Sequence, residues 1–312
     1  MYMSKVRYIV MALAMGLAAC SSDEPEDAVV PETPGEPQVE RKQVNILSRA
    51  EAGTANPLQQ NASESLQAGL FMVNYRDGQP DVLLTANNYV NNQLLTWNGN
   101  AWTTAAPIYW FDEETRADFY AYAPYKSSVT DARAMAFSVQ ADQTSATAFA
   151  QSDLLWGCVE GQSPQDESFG LTLSHVLSQL TIWVTADTGF DEGELRAGDV
   201  SVTIGGTVTK GTVDLQTGTV SVLRGSAAED VKAYSNDDLS YTAILLPQQV
   251  PFANLIQIDW KGNKYTLQNS FSLEARRQYN LTVKLKKTKS GFDIGIEGWD
   301  ILPEDFGGTI GG

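Results

Sequence analysis

Phe169 to Val184, FGLTLSHVLSQLTIWV, constrains this chain more than any other stretch. Phe169, Leu171 and Leu173 are apolar at every second position, and so are Leu180, Ile182 and Val184, but the two series run in opposite phase. A strand shows successive side chains to opposite faces, so the reversal near Ser178 and Gln179 needs either a bulge or a handover between two sheets. We read it as a seam between an amino-terminal body, 42–168, and a carboxy-terminal one, 169–312, each of ordinary domain size.

Alternation of the same kind recurs on both sides of the seam. Phe71, Val73 and Tyr75 share one face, and Asp77-Gly78 then makes a turn. Asn98-Gly99, between Leu94–Trp97 and Ala101–Thr104, suits a tight hairpin. Phe119 and Ala121 oppose Tyr120 and Tyr122, and Pro124 ends that strand. Met135, Phe137 and Val139 alternate, as do Leu155 and Val159 against Leu154, Trp156 and Cys158. Beyond the seam the series at Val200–Ile204, Tyr241–Leu246, Ile256–Trp260, Tyr265–Leu267, Tyr279–Leu285 and Phe292–Ile296 continue it, with a turn expected at Gly262-Asn263. No stretch longer than ten residues has a convincing 3.6-residue period, so the chain is predicted to be all-β, and strands at this spacing predict a sandwich. The tail from Ile301 to Gly312, with Pro303 and four glycines, reads as too flexible for a core.

The first twenty residues carry Lys5 and Arg7, then an apolar run from Tyr8 to Ala19, then Cys20. That run falls short of the roughly 20 apolar residues a spanning helix needs, so 1–19 reads as an export signal. Leu17-Ala18-Ala19-Cys20 resembles the bacterial lipoprotein box, which is cut between Ala19 and Cys20 and acylated on the cysteine. Several acyl chains at Cys20 would anchor the chain durably to a membrane that it does not cross. Residues 20–41 are acidic and proline-rich, the composition of an extended, disordered linker. Asp23 and Glu24 resemble the surface-export signal of Bacteroidetes lipoproteins.

Charge and composition exclude several functions. With 38 acidic residues against 21 basic ones, the net charge of −17 repels phosphate backbones, so nucleic acid is not an expected partner. Two cysteines, of which Cys20 has another role, rule out a disulfide framework. The single histidine, His175, shares a phase with Leu173 and Leu177, as a hydrogen-bonded structural histidine would. One histidine and one remaining cysteine cannot build a zinc site. The glycines Gly205, Gly206 and Gly211 match no phosphate-binding fingerprint. Neither a catalytic constellation nor a cofactor is therefore expected. Asp191-Glu192-Gly193-Glu194 and Asp237-Asp238 read as solvated turns. The dense aromatics between Tyr109 and Tyr125 supply candidate ligand rings in Trp110, Tyr120 and Tyr122, with cross-strand packing as the competing explanation.

Taken together, the box at Cys20, a short strand ending at Arg49, the run TRADFYAYAPY, the segment HVLSQLTIWV, and the strand Gln278–Leu285 followed by GIEGWD resemble the fimbrillin family. These are the type V pilus subunits of Bacteroidetes and their Mfa-like relatives. The resemblance implies two tandem transthyretin-like β-sandwich domains, no enzymatic activity, and a lipidated precursor on the outer membrane at the cell surface. It further implies that an arginine-specific protease removes the first strand and that a neighbouring fimbrial subunit's strand replaces it. The matching segment here is 42–48, with Arg49–Ala50 as the scissile bond. Because 301–312 is a poor donor strand, the expected place in the fibre is at the tip or as an accessory serving adhesion. A glycan-binding surface lipoprotein using exposed aromatics, with a host or bacterial surface glycan or protein as its target, is the alternative.

Overall fold

The computed structural model describes residues 41–47, 66–98, 101–189, 191–288 and 291–305. The first half holds β1 (Ile46–Leu47), β2 (Gln67–Asn74), β3 (Val90–Trp97), β4 (Trp102–Thr103), β5 (Ala117–Ala123) and β6 (Met135–Ser138). Helix α1 (Ala146–Ser152), β7 (Leu155–Gln162), β8 (Phe169–Gly170) and β9 (Ser174–His175) complete it. The second half runs through β10 (Ser178–Ala186), α2 (Glu192–Arg196), β11 (Val200–Thr207), β12 (Lys210–Asp214), β13 (Thr219–Val222) and β14 (Glu229–Lys232). It ends with β15 (Tyr234–Ser235), β16 (Ser240–Leu245), β17 (Gln248–Trp260), β18 (Asn263–Leu273), β19 (Arg277–Thr288) and β20 (Gly291–Asp305). The all-β expectation is met.

An antiparallel sheet ordered β4-β3-β2-β5-β7-β9 forms the centre of the first half. Its middle strands are apolar on both sides because both sides are covered. Leu70, Met72, Phe119 and Ala121 join a core with Val44, Ile46, Trp110 and Phe169. Phe71, Val73, Tyr120 and Tyr122 face a different core, shared with Phe137, Leu154, Val213 and Ile244. Asp77 and Gly78 take the expected turn at φ 50° and 72°, closed by mutual hydrogen bonds of 2.9 Å between Arg76 and Gln79. At the other hairpin Asn98 Oδ1 accepts the Ala101 N–H at 2.9 Å, and Gly99 lies outside the described residues.

The phase reversal is a handover between sheets. β9 pairs with β7 in the six-stranded sheet, whereas β10, three residues on, pairs with β16 and β19 in another. Val176 and Leu177, consecutive and both buried, let the chain turn its apolar series to the opposite face. Phe169 to His175 therefore pair with the first half, and the chain changes sheet after them rather than at 169.

In the second half, the sheet β15-β16-β10-β19-β20 faces the sheet β14-β11-β17-β18. Leu180, Ile182, Leu281 and Val283 from one meet Val202, Ile204, Ile256 and Ile258 from the other in a single core, as a sandwich requires. β16 has a second buried face: Ile244, like Leu246 just after the strand, joins the core under the six-stranded sheet. A three-stranded sheet ordered β13-β12-β6 also crosses between the halves.

Three local expectations differ from what is found, and two short helices join the strands. The helices α1 and α2 are too short for a periodicity to show; Ser145 caps α1, accepting the Ala148 N–H at 3.2 Å, and Phe149 anchors it. Asp191 is likewise an N-cap rather than part of a solvated turn, and buries Leu195 behind it. The turn after Trp260 is centred on Lys261-Gly262, at φ 50° and 77°, so Asn263 already belongs to β18. Finally, Ile301–Asp305 continue β20, with Ile301 opposite Tyr279 and Asp305 opposite Arg277, whereas 306–312 lie outside the described residues.

Candidate functional site: the first strand in its groove

Residues 42–47 lie between two parts of the first half and pair with both. On one side Ile46 and Leu47 pair in parallel with Phe169 and Gly170. On the other, Gln43 bridges Tyr109 and Leu47 bridges Ala101, both antiparallel. Backbone hydrogen bonds follow: Val44 N–H donates to the Ile108 carbonyl at 2.8 Å, and Trp110 N–H to that of Lys42 at 3.0 Å. Across the segment, Phe169 N–H donates to the Asn45 carbonyl at 3.1 Å and Leu171 N–H to that of Leu47 at 2.8 Å.

Alternation decides which side chains are seated. Val44 and Ile46 are 7% and 6% exposed and pack in the core with Trp110, Phe119 and Phe169, whose rings lie 4.7–6.3 Å apart. Asn45 points the other way and donates from Nδ2 to the Asp166 carbonyl at 3.2 Å. Lys42 reaches the Asp166 carboxylate at 3.8 Å, an exposed pair of small worth. Leu47 is 40% exposed because it stands in the outward phase. A cleft of ≈ 350 Å³ opens beside the segment, walled by Val44, Ile46, Leu95, Trp102, Pro107 and Ile108 among others.

The expected site residues separate into two groups. Ala19, Cys20, Arg49 and Ala50 lie outside the described residues. Trp110, Tyr120 and Tyr122 are 1%, 2% and 0% exposed, so as folded they cannot stack on a ligand; the covered second face of the six-stranded sheet takes the two tyrosines, and the first strand covers the tryptophan. Burial pushes the Tyr122 phenol up to about 12 and Tyr120 still higher. The exposed rings are their neighbours Tyr109 and Phe111, the latter edge-on to Tyr89 at a centroid distance of 5.8 Å. Strand alternation through Tyr109-Trp110-Phe111 was the available signal: if the middle ring is inside, the outer two are not.

His175 is buried, and its Nδ1 lies 2.7 Å from Asp153 Oδ1, just past the end of α1. Among the described residues no group of three or more His, Cys, Asp or Glu side chains could hold a metal ion.

With this geometry in view, the chain can be set beside known proteins. The family model described as Fimbrillin-like matches residues 51–299. A protein named "Putative fimbrium subunit Fim1C", from Bacteroides uniformis, is 24% identical over 216 residues, covering 65% of this chain and 68% of that one. The crystal structure of a "putative cell adhesion protein" from Bacteroides uniformis superposes with a TM-score of 0.63 at 20% identity, covering 87% of this chain and 100% of that one. One of the same description from Bacteroides ovatus gives 0.66 at 15% identity, over 85% and 99%. At these identities the two structures speak for the fold. The family match spans most of the chain and starts just after the buried first strand, and on it the chain belongs to the fimbrillin-like family.

Proposed function

We propose that this chain is the precursor of a fimbrial subunit at the cell surface, without enzymatic activity, whose residues 42–48 are a removable plug. In this reading, signal peptidase cuts before Cys20, which is then acylated and anchors the precursor to the outer membrane. Residues 20–41 space the body from the lipid. An arginine-specific protease cuts Arg49–Ala50, and a strand from a neighbouring subunit takes over the groove. The observation that carries the reading is the seating of Val44 and Ile46 in a core whose other members come from six strands and two connecting segments. Burying two such side chains is worth about 1.5–3 kcal/mol each, and a sandwich without them exposes an apolar groove and unpaired backbone groups.

A tip or accessory position agrees with the pairing of β20. Ile301–Asp305 are engaged with β19 of their own sheet, so they are not spare donor sequence. The two cores that belong to separate halves support a reading as tandem sandwiches, joined through the third core.

The test is to treat purified precursor with an arginine-specific protease. A new N-terminus at Ala50, followed by capture of a donor-strand peptide, is expected. An intact Arg49–Ala50 bond, or a cut product that captures nothing, overturns the reading.

A glycan-binding surface lipoprotein is the second reading, and the exposed pair Tyr89 and Phe111 favours it. Sugar binding on a glycan array that disappears in Phe111→Ala, together with native protein still carrying lipidated Cys20, would select it.

A further inference from the structure

We propose that the plug stays in its groove after proteolysis and is exchanged only for a strand with bulkier apolar side chains at the two inward positions now held by Val44 and Ile46. This rests on the plug reading above and adds the condition under which the plug leaves and the kind of strand that replaces it.

Retention follows from where the contacts lie. Each hydrogen bond and bridge described for the segment is made by residues 42–47, on the amino side of the Arg49–Ala50 bond. Cutting that bond removes none of them. It turns a covalent plug into a bound peptide that can be outcompeted, and leaves the same two side chains buried.

Selection follows from the plug's poor fit. The segment meets the 101–109 wall at Gln43 and Val44, which bridge Tyr109 and bond the Ile108 carbonyl respectively, and again at Leu47 opposite Ala101. Between Val44 and Leu47 the segment is faced by a longer excursion of the wall, 102–107, and the ≈ 350 Å³ cleft beside it is lined by Leu95, Trp102 and Ile108. Val44 and Ile46 form one wall of this open cleft and Leu95, Trp102 and Ile108 another, and apolar wall that meets no side chain forfeits dispersion contacts. Trp102 adds a polar element: its indole N–H is buried and has no acceptor among the described residues. A strand whose inward side chains are aromatic or otherwise large fills the space the plug leaves, so exchange runs toward it. A strand copying the plug gains nothing.

The experiment uses the full chain, cut either at Arg49–Ala50 or at a sequence-specific protease site inserted in its place. Native chromatography with intact mass should find the amino-terminal fragment still bound to the body. Two ten-residue peptides are then added, one with Val and Ile at the inward positions and one with Phe at both. The Phe peptide is expected to release the fragment at least tenfold faster, and Val44→Phe in the chain itself to slow release at least tenfold. Loss of the fragment on cutting alone overturns retention, and equal displacement by both peptides overturns selection. Resistance of the native Arg49 bond would count against the processing reading only, since the inserted site still tests the plug. If Val44→Phe does not fold, the peptide comparison on the unchanged chain decides.

Discussion

Ile46 and Phe169 are in-register partners in a two-stranded parallel ladder, and each is also buried in the core that contains Trp110 and Phe119. The same pair thus couples backbone pairing to side-chain packing at the point where the first strand meets the segment leading into the seam.

That coupling should be visible as non-additivity. Ile46→Ala is expected to cost about 2–5 kcal/mol and Phe169→Ala about 3–5. Because the residues touch one core, the double variant should fall short of the sum by about 0.5–3 kcal/mol. Urea unfolding of the uncut chain measures all three. Strict additivity would mean that the plug's burial does not depend on the strand beside it.

Neighbouring rings should behave oppositely. Trp110 is buried under the plug and edge-on to Phe119 at 5.5 Å, so Trp110→Ala is expected to cost about 3–5 kcal/mol. Phe111, half exposed, should change stability by no more than about 0.5 kcal/mol as Phe111→Ala. Thermal unfolding of the two variants side by side separates a core ring from a surface one. Equal losses would refute the assignment of faces.

Much of this was legible because period-two patterning reports faces. The phase reversal between Leu173 and Leu180 called for a bulge or a handover, and the handover is what is found. What alternation cannot report is whether the second face of a strand is covered. Ala117–Ala123 is apolar on both faces, and only the packing of β6 and β12 against it shows that Tyr120 and Tyr122 are interior. Helix α1 escaped notice because seven residues give too few turns for a period, and its cap at Ser145 was the stronger clue. Ile301–Asp305 looked unfit for a strand on composition, but an edge strand tolerates Pro303 and glycine better than a central one does.

Alkaline pH should weaken the first half through Tyr122. Its hydroxyl donates to Asn92 Oδ1 at 2.9 Å and accepts the Lys126 N–H at 3.2 Å, and burial holds its pKa at about 12, above the ordinary 10.0. Between those values the unfolded chain loses this proton and the folded one keeps it, so stability falls as pH rises and is fully present below about 10. The slope from one such group approaches about 1.4 kcal/mol per pH unit. Denaturant midpoints from pH 9 to 12 should show the decline, and Tyr122→Phe should flatten it. An unchanged slope in that variant would place the alkaline loss elsewhere.

Gln143 provides the sharpest test of how the two halves are held together. β15 covers β16 only as far as Thr242, leaving the Ile244 peptide beyond its reach. The fully buried Gln143 side chain completes the sheet there, donating from Nε2 to the Ile244 carbonyl at 2.8 Å and accepting the Ile244 N–H on Oε1 at 2.9 Å. Its backbone N–H meanwhile donates to the Lys232 carbonyl at 3.0 Å, which ties the segment before α1 to the carboxy-terminal half. Gln143→Leu keeps roughly the volume but strands a buried donor and acceptor, each costing about 1–3 kcal/mol when unpaired. Gln143→Glu retains the acceptor for Ile244 N–H but sets a carboxylate against the carbonyl, so it should be no better tolerated. The expected signature is a loss of about 2–6 kcal/mol in global unfolding for Gln143→Leu, with hydrogen exchange at the Ile244 amide accelerated beyond the average of β16. If Gln143→Leu unfolds like the unchanged chain and that amide stays protected, the two halves are held by the β6–β12 ladder and their shared apolar core, without help from this side chain.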